Sequence, residues 1–334
     1  MALPNKLIEG ASSKLGESWI RQVLTPAFAF WLVGLMAWMW ATGWDEQLAR
    51  FETWSNSDGN GTTLIVGAIL ALLVVATSGG AVERLTLPVL TLIEGYWPAW
   101  LRWPQERLRR RQKRRWLKFD AEWQTLEAKV HGEGESAHDQ TRLASLESAL
   151  RRFPSTSAGP VNEADDLMPT RVGNILRAGE FRPRDRYGLE PTLCWTHFWL
   201  LIPDSRREEL RASRTELDAS ISFLVWAVLS AVWSIWIWWI PLASALTAWA
   251  AYEFLILPAA RTWADQVEAV FDLDRTKLYQ ALRLELPTSP PEERRSGEFV
   301  NEYLLRGTDR ADIALISPEK VEGNGTHGSN VNRN

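Results

Sequence analysis

Cysteine and histidine are scarce in this sequence, and charge is missing from long stretches of it. The 334 residues include one cysteine, Cys194, and four histidines. A lone thiol excludes an intrachain disulfide and a thiolate metal cluster. His131, His138, His197 and His327 do not gather at metal-ligand spacing. The two that flank GEGESA, with Glu133, Glu135 and Asp139 nearby, read as a solvated loop. P-loop, G-x-S-x-G, H-E-x-x-H and dinucleotide fingerprints are also absent. With no paired catalytic groups in view, the expectation is a non-enzymatic chain without cofactor or metal.

Lys, Arg, Asp and Glu are missing from Gln22 to Trp44, from Gly59 to Val82 and from Ala219 to Tyr252. A hydrocarbon layer of about 30 Å is crossed by about 20 apolar helical residues, so these runs read as membrane spans. The mean hydropathy of -0.19 hides them, because the remaining sequence is densely charged. The first run is too long for a signal core and no small-x-small cleavage pattern follows it, so it reads as a retained anchor. Twenty tryptophans are present, many of them near the ends of the runs: Trp40 and Trp44, Trp97 and Trp100, and Trp236 to Trp239. An indole is apolar with one N–H donor and favours the headgroup level. Trp31 and Trp226 fit that belt less well.

Charge asymmetry orients the chain. After the first run come Asp45, Glu46, Glu52 and Asp58 against Arg50, whereas Arg102 to Lys118 holds nine Lys or Arg and one Glu. By the positive-inside rule the second side is cytosolic. The third run of 34 residues would make about 51 Å of helix, too long for one crossing. Pro241 is predicted to break it.

The predicted fold class is an all-α integral membrane protein with four transmembrane helices as two hairpins, a helical cytosolic domain between them and a cytosolic C-terminal helix. The boundaries are 1–25 for an N-terminal cytosolic amphipathic segment, 26–43 for the first span, 44–61 for an extracytosolic loop and 62–82 for the second span. An interfacial segment, 83–103, leads to the cytosolic domain, 104–218. The later spans are 221–240 and 243–260, followed by a cytosolic helical region, 261–312, and a disordered polar tail, 313–334. Trp116, Phe119, Trp123, Leu126 and Val130, and then Leu143, Leu146, Leu150 and Phe153, form heptad-like stripes that suggest an antiparallel helical hairpin. STSAGPVNEADD reads as a loop, Arg171 to Ala178 as a short helix and EFRPRDRYGLEP as turns. TLCWTHFWLLIP is too short to span. SRREELRASRTELDAS is predicted to run straight into the third span, and SGEFVNEYLLRG to form a last short helix.

At PTRVGNILRAGEFRPRDRYGLEPTLCW, residues 169 to 195, the chain resembles a widespread set of bacterial multi-span membrane proteins. The shared block is P-T-R-x-G-N-x-L-R-A, then R-Y-G, and FDLDRTKLYQAL with a final LLRG is similar in the same way. The resemblance runs from the first span to about Gly307. It implies the multi-span architecture and a bacterial inner-membrane location, and it carries no activity.

Candidate residues follow from position. Glu253 is a carboxyl near mid-membrane, where an ionisable group is costly and faces a bundle interior or water. It is read either as a pore-lining group or as a protonated acid bonded between helices. Glu83 and Arg84 sit at the inner interface. Arg102, Arg107, Arg109, Arg110, Arg111, Lys113, Arg114 and Arg115 lie just below a span, so anionic lipid headgroups are their expected partners and nucleic acid is disfavoured. Arg171, Asn174, Arg177, Glu180, Arg184, Arg186 and Tyr187 form a polar cluster, read as loop-pinning donors or as an anionic ligand pocket. The expected function is a homo-oligomeric channel gated by the cytosolic helices. The alternative is a membrane-anchored scaffold that recruits a cytosolic protein partner.

Overall fold

The structure is a computed structural model that describes residues 26–55, 60–133, 136–154 and 167–307. The N-terminal segment 1–25, the GEGESA loop at 134–135, most of STSAGPVNEADD and the tail beyond 307 lie outside the described residues. Among the described residues every regular element is helical. Three helical runs are long and apolar enough to cross a membrane, and a fourth is added if the bent pair at the start of the chain counts as one span. The chain divides into two units, 1–90 with 217–256, and 91–216 with 257–334.

In the first unit, α1 (Pro26–Thr42) is followed by α2 (Trp44–Ser55) after a 105° bend. Residues 44–55, expected as loop, are helical, with Asp45 and Glu46 in the first turn and an exposed Arg50–Glu46 pair at i,i+4, 2.6 Å apart. Gly43 at φ 91 makes the bend, a backbone setting that residues with a Cβ disfavour. Next, α3 (Asn60–Glu94) continues past Val82 and through Pro88. A core forms where Ala27, Val82, Val225 and Trp226 meet, with Phe30, Val75 and Val89 around them. Trp31 Nε1 donates to Ser78 Oγ at 3.1 Å, which satisfies an indole between helices instead of at a headgroup. Gly34 lies against Trp233, and a Cβ there would overlap the indole.

The expected break in the third uncharged run is present, but it falls just before Pro241. The helix α8 (Asp204–Leu229) ends earlier and tightens into a 3-10 stretch, Ser230–Ile235, and the chain reverses at residues 236–239. Pro241 then stands in the first turn of α9 (Ile240–Ala251), where its missing N–H has no helical acceptor to lose. The reversal is confirmed by Ser244 Oγ donating to the Ala227 carbonyl. Trp236, Trp238 and Trp239 around the turn are exposed. A π-helical turn, Tyr252–Ile256, follows α9.

In the second unit, α4 (Arg102–Glu133) and α5 (Ala137–Leu150) form a hairpin on which the two stripes meet, with Trp116, Leu146 and Phe153 buried. Arg142 on one arm pairs with Glu122 on the other at 2.5 Å. The main packing partner of α6 (Arg171–Tyr187) is α10 (Leu257–Ala281). Gly179 permits the approach, since a Cβ there would sit 3.0 Å from that of Ala264. The short α7 (Pro191–Leu201) and α11 (Pro290–Arg306) complete a core of Phe198, Phe271, Leu278 and Val300. Cys194 is fully buried in it, and burial pushes its thiol up to about 12, which disfavours the thiolate.

The expected turns at EFRPRDRYGLEP are instead helix as far as Tyr187. Pro183 costs that helix a backbone bond, but Arg182, Arg186 and Tyr187 on the turns around it anchor to Glu268 and Asp272. Gly188, at φ 69, ends the helix, and a Cβ there would overlap the Arg294 carbonyl.

Gly34→Val is expected to cost about 2 kcal/mol by overpacking against Trp233. Combining it with Trp233→Leu should recover part of the loss, as read by thermal unfolding in detergent.

Candidate functional site

The block at residues 169 to 178 acts first as a seat. Thr170 caps α6 by accepting from the Gly173 N–H at 2.9 Å and donates to the Glu94 carbonyl at 3.1 Å. Gly173 must lack a side chain, because a Cβ would overlap that same carbonyl. Asn174, 1 % exposed, accepts from the Met168 N–H at 2.8 Å and donates to the carbonyls of Met168 and Thr170. It uses both ends of its amide to hold the loop.

The rest of the predicted polar cluster disperses. Arg177 lies over the Phe181 ring at 5.0 Å. Arg184 is 5.7 Å from the same ring and 3.5 Å from Glu190. Arg186 pairs with Glu268 at 3.0 Å, and the Tyr187 hydroxyl donates to Asp272 at 2.6 Å while Arg275 lies over its ring. Glu180 joins Glu94, Arg214, Trp195 and Trp263 around a separate cavity of about 360 Å³. Burial first, and then Glu180 nearby, raises the Glu94 carboxyl above its ordinary pKa.

Arg171 goes elsewhere. With Arg115 from α4, Arg152 just after α5 and Arg261 from α10, it lines a cavity of about 60 Å³ that also receives Gln112. Phe119 and Phe153 form its apolar wall, and no carboxylate lines it among the described residues. Arg152 has its pKa lowered, first by burial and then by the positive charges of Arg261, Arg171 and Arg115. Gln112 is 6 % exposed, and its Oε1 is buried without a hydrogen-bond partner, as is Arg261 Nε. Sequence reasoning missed Arg152, Arg261 and Gln112, since these positions are far apart and each looks like an ordinary polar residue of a charged helix.

Of the basic run, Arg102, Arg107, Arg110, Arg111, Arg114 and Arg115 are exposed, while Arg109 and Lys113 are half-buried. Arg115 is the member that reaches the cavity. Glu83 and Arg84 are exposed on α3. Glu253 is half-buried on the π turn beside the exposed Phe254 and Leu255.

The second unit is pinned by one further group. Glu268, its side chain 5 % exposed, is met by Arg182, by Arg151 at 3.2 Å and by Arg186 at 3.0 Å. Burial works to raise its pKa, but the three guanidiniums outweigh burial and hold it below the ordinary carboxylate value.

Glu268→Gln is expected to cost about 2 kcal/mol at neutral pH, since it removes the charged acceptor that Arg182, Arg151 and Arg186 share. A lowered folded-state pKa gives stability that is full above the unfolded value and lost as pH falls through the folded one. The deficit of the variant should therefore vanish in acid. Glu94→Gln has the opposite sign. A raised folded-state pKa gives stability that is full at low pH and lost as pH rises through it, so this variant should match wild type in acid and exceed it at neutral pH. Thermal unfolding across pH checks both.

No family model matches the chain, and no curated protein or solved structure matches it either, so the resemblance read at residues 169 to 195 rests on those residues alone.

Proposed function

We propose that this chain is a multi-pass protein of the bacterial inner membrane and assembles into a homo-oligomeric channel gated by its second unit. The reading places four crossings as two hairpins, α1 with the first part of α3, and the end of α8 with α9 and the π turn. Both termini lie in the cytosol, on the side of the Arg102 to Lys118 run. The exposed arginines of α4 then lie near anionic headgroups, worth roughly 1 kcal/mol each close to the surface. Exposed Leu242, Leu246 and Trp249 on α9 suit contact with lipid tails or a second copy.

Glu253 carries the reading. It is half-buried in one copy of the chain, in a helical run of 42 residues from Ile240 to Ala281, with apolar side chains on either side. An ionisable group in an apolar run faces a bundle interior or water, and a pore axis between copies is one such place. The π turn that holds it is a rare geometry that recurs at functional sites. The scaffold alternative finds less support, because the apolar stripes of the α4–α5 hairpin, its natural recruiting surface, are covered by each other.

The test is conductance in planar bilayers together with particle mass in native-lipid nanodiscs. The expected result is an oligomer that conducts, with Glu253→Gln leaving the mass unchanged and shifting unitary conductance or ion selectivity. A monomer that never conducts would sink the channel reading, and unchanged flux in the variant would return Glu253 to a structural role.

A further inference from the structure

We propose that the cavity lined by Arg115, Arg152, Arg171, Arg261 and Gln112 is a binding site for a phosphate group. The inference is independent of the channel reading, because it concerns the second unit alone and is read by binding.

Four guanidiniums arrive at this cavity from separate stretches of the chain, and no carboxylate lines it among the described residues. Gathering four like charges in one concavity is unfavourable, and an anion offsets it. Planar guanidinium forks match tetrahedral oxyanions, and a phosphate offers several acceptor oxygens and up to two charges, where a carboxylate offers two oxygens and one.

The neutral groups fit the same ligand. Gln112 lines the cavity almost fully buried, with its amide oxygen unpartnered. Turned over, the amide presents N–H donors to an oxyanion. Arg171 is the first residue of α6, and Asn174 and Ile175 from the same end of that helix also line the cavity. The positive end of a 17-residue helix therefore lies at the site. A volume of about 60 Å³ takes an ion or headgroup of phosphate size and leaves anything larger attached to it outside. The phosphate can come from a soluble ion or from the monoester headgroup of a lipid.

The test uses the full chain in nanodiscs, in buffer free of phosphate and sulfate, with thermal unfolding and titration calorimetry as readouts. Inorganic phosphate is titrated into phosphatidylcholine discs. In parallel, discs containing phosphatidic acid are compared with discs containing phosphatidylglycerol at equal charge. The expected result is a rise of several degrees in unfolding temperature with one probe, since a ligand that binds only the folded chain stabilises it. A rise with inorganic phosphate identifies the soluble source, and a rise confined to phosphatidic acid identifies the lipid.

Arg152→Gln and Gln112→Glu are each expected to weaken the effect at least tenfold. Neither should lower the unfolding temperature without probe, because one removes a repelling charge and the other supplies a carboxylate partner. If Arg152→Gln fails to fold, Gln112→Glu decides alone. No shift with either probe overturns the proposal. So does a shift that survives Gln112→Glu or is equal for the two anionic lipids, since the exposed basic run would then account for it.

Discussion

A carboxylate taken out of water has to be answered by charge close at hand, and at Glu268 three arginines from two parts of the chain do so. Arg182 and Arg186 come from α6 and Arg151 from just after α5, so one side chain on α10 ties both to it. Around this point the remaining contacts of the second unit arrange themselves. Gly179 lets α6 approach Ala264, Tyr187 reaches Asp272, and Gly188 and Gly297 bring α11 against the end of α6. Asn301 closes the junction by donating to the Gly188 carbonyl at 2.7 Å and accepting from the Glu190 N–H at 2.8 Å. The proline inside α6 is tolerated because the turns around it are held from outside the helix.

The first unit is built on another footing. Its helices meet through aromatic rings and small residues, with Phe30 5.0 Å from Trp226 and 5.1 Å from Trp233, and Gly34 and Ala27 permitting the approach. Where apolar side chains are equally at home in lipid, close fit and occasional bonds such as Trp31 to Ser78 hold helices together. Tryptophan therefore has two uses in this unit: inside as a large rigid filler, and outside, at the Trp236 to Trp239 turn, as exposed indole surface.

Much of this architecture could be read from periodicity, because burial leaves a local signature. Uncharged runs became the apolar helices, and the Trp116 and Leu146 stripes met as a hairpin. Prolines were harder to place: Pro241 starts a helix just after the break, and Pro183 sits inside one. In each case the deciding partner, a chain reversal or an anchoring carboxylate, is invisible in a short window. The arginine-lined cavity was half legible. Arg171 and Arg115 stood out singly, in different clusters, while Arg152, Arg261 and Gln112 join them only through tertiary packing. Asn174 was readable either as a loop-pinning group or as part of a ligand pocket, and its amide is bonded to its own loop.

The π turn at Tyr252–Ile256 also sets a phase. A turn closed by i to i+5 bonds holds about one residue more than an α turn, and one residue is about 100° of rotation around the axis. Ala264, Val267, Phe271 and Leu278 lie on the buried face of α10. Losing a single residue from this turn would leave composition and hydropathy almost untouched, yet it would rotate the residues that follow within the turn by about 100° relative to α9. The spacing of this stretch is thus specified by count as strictly as its chemistry is by residue type.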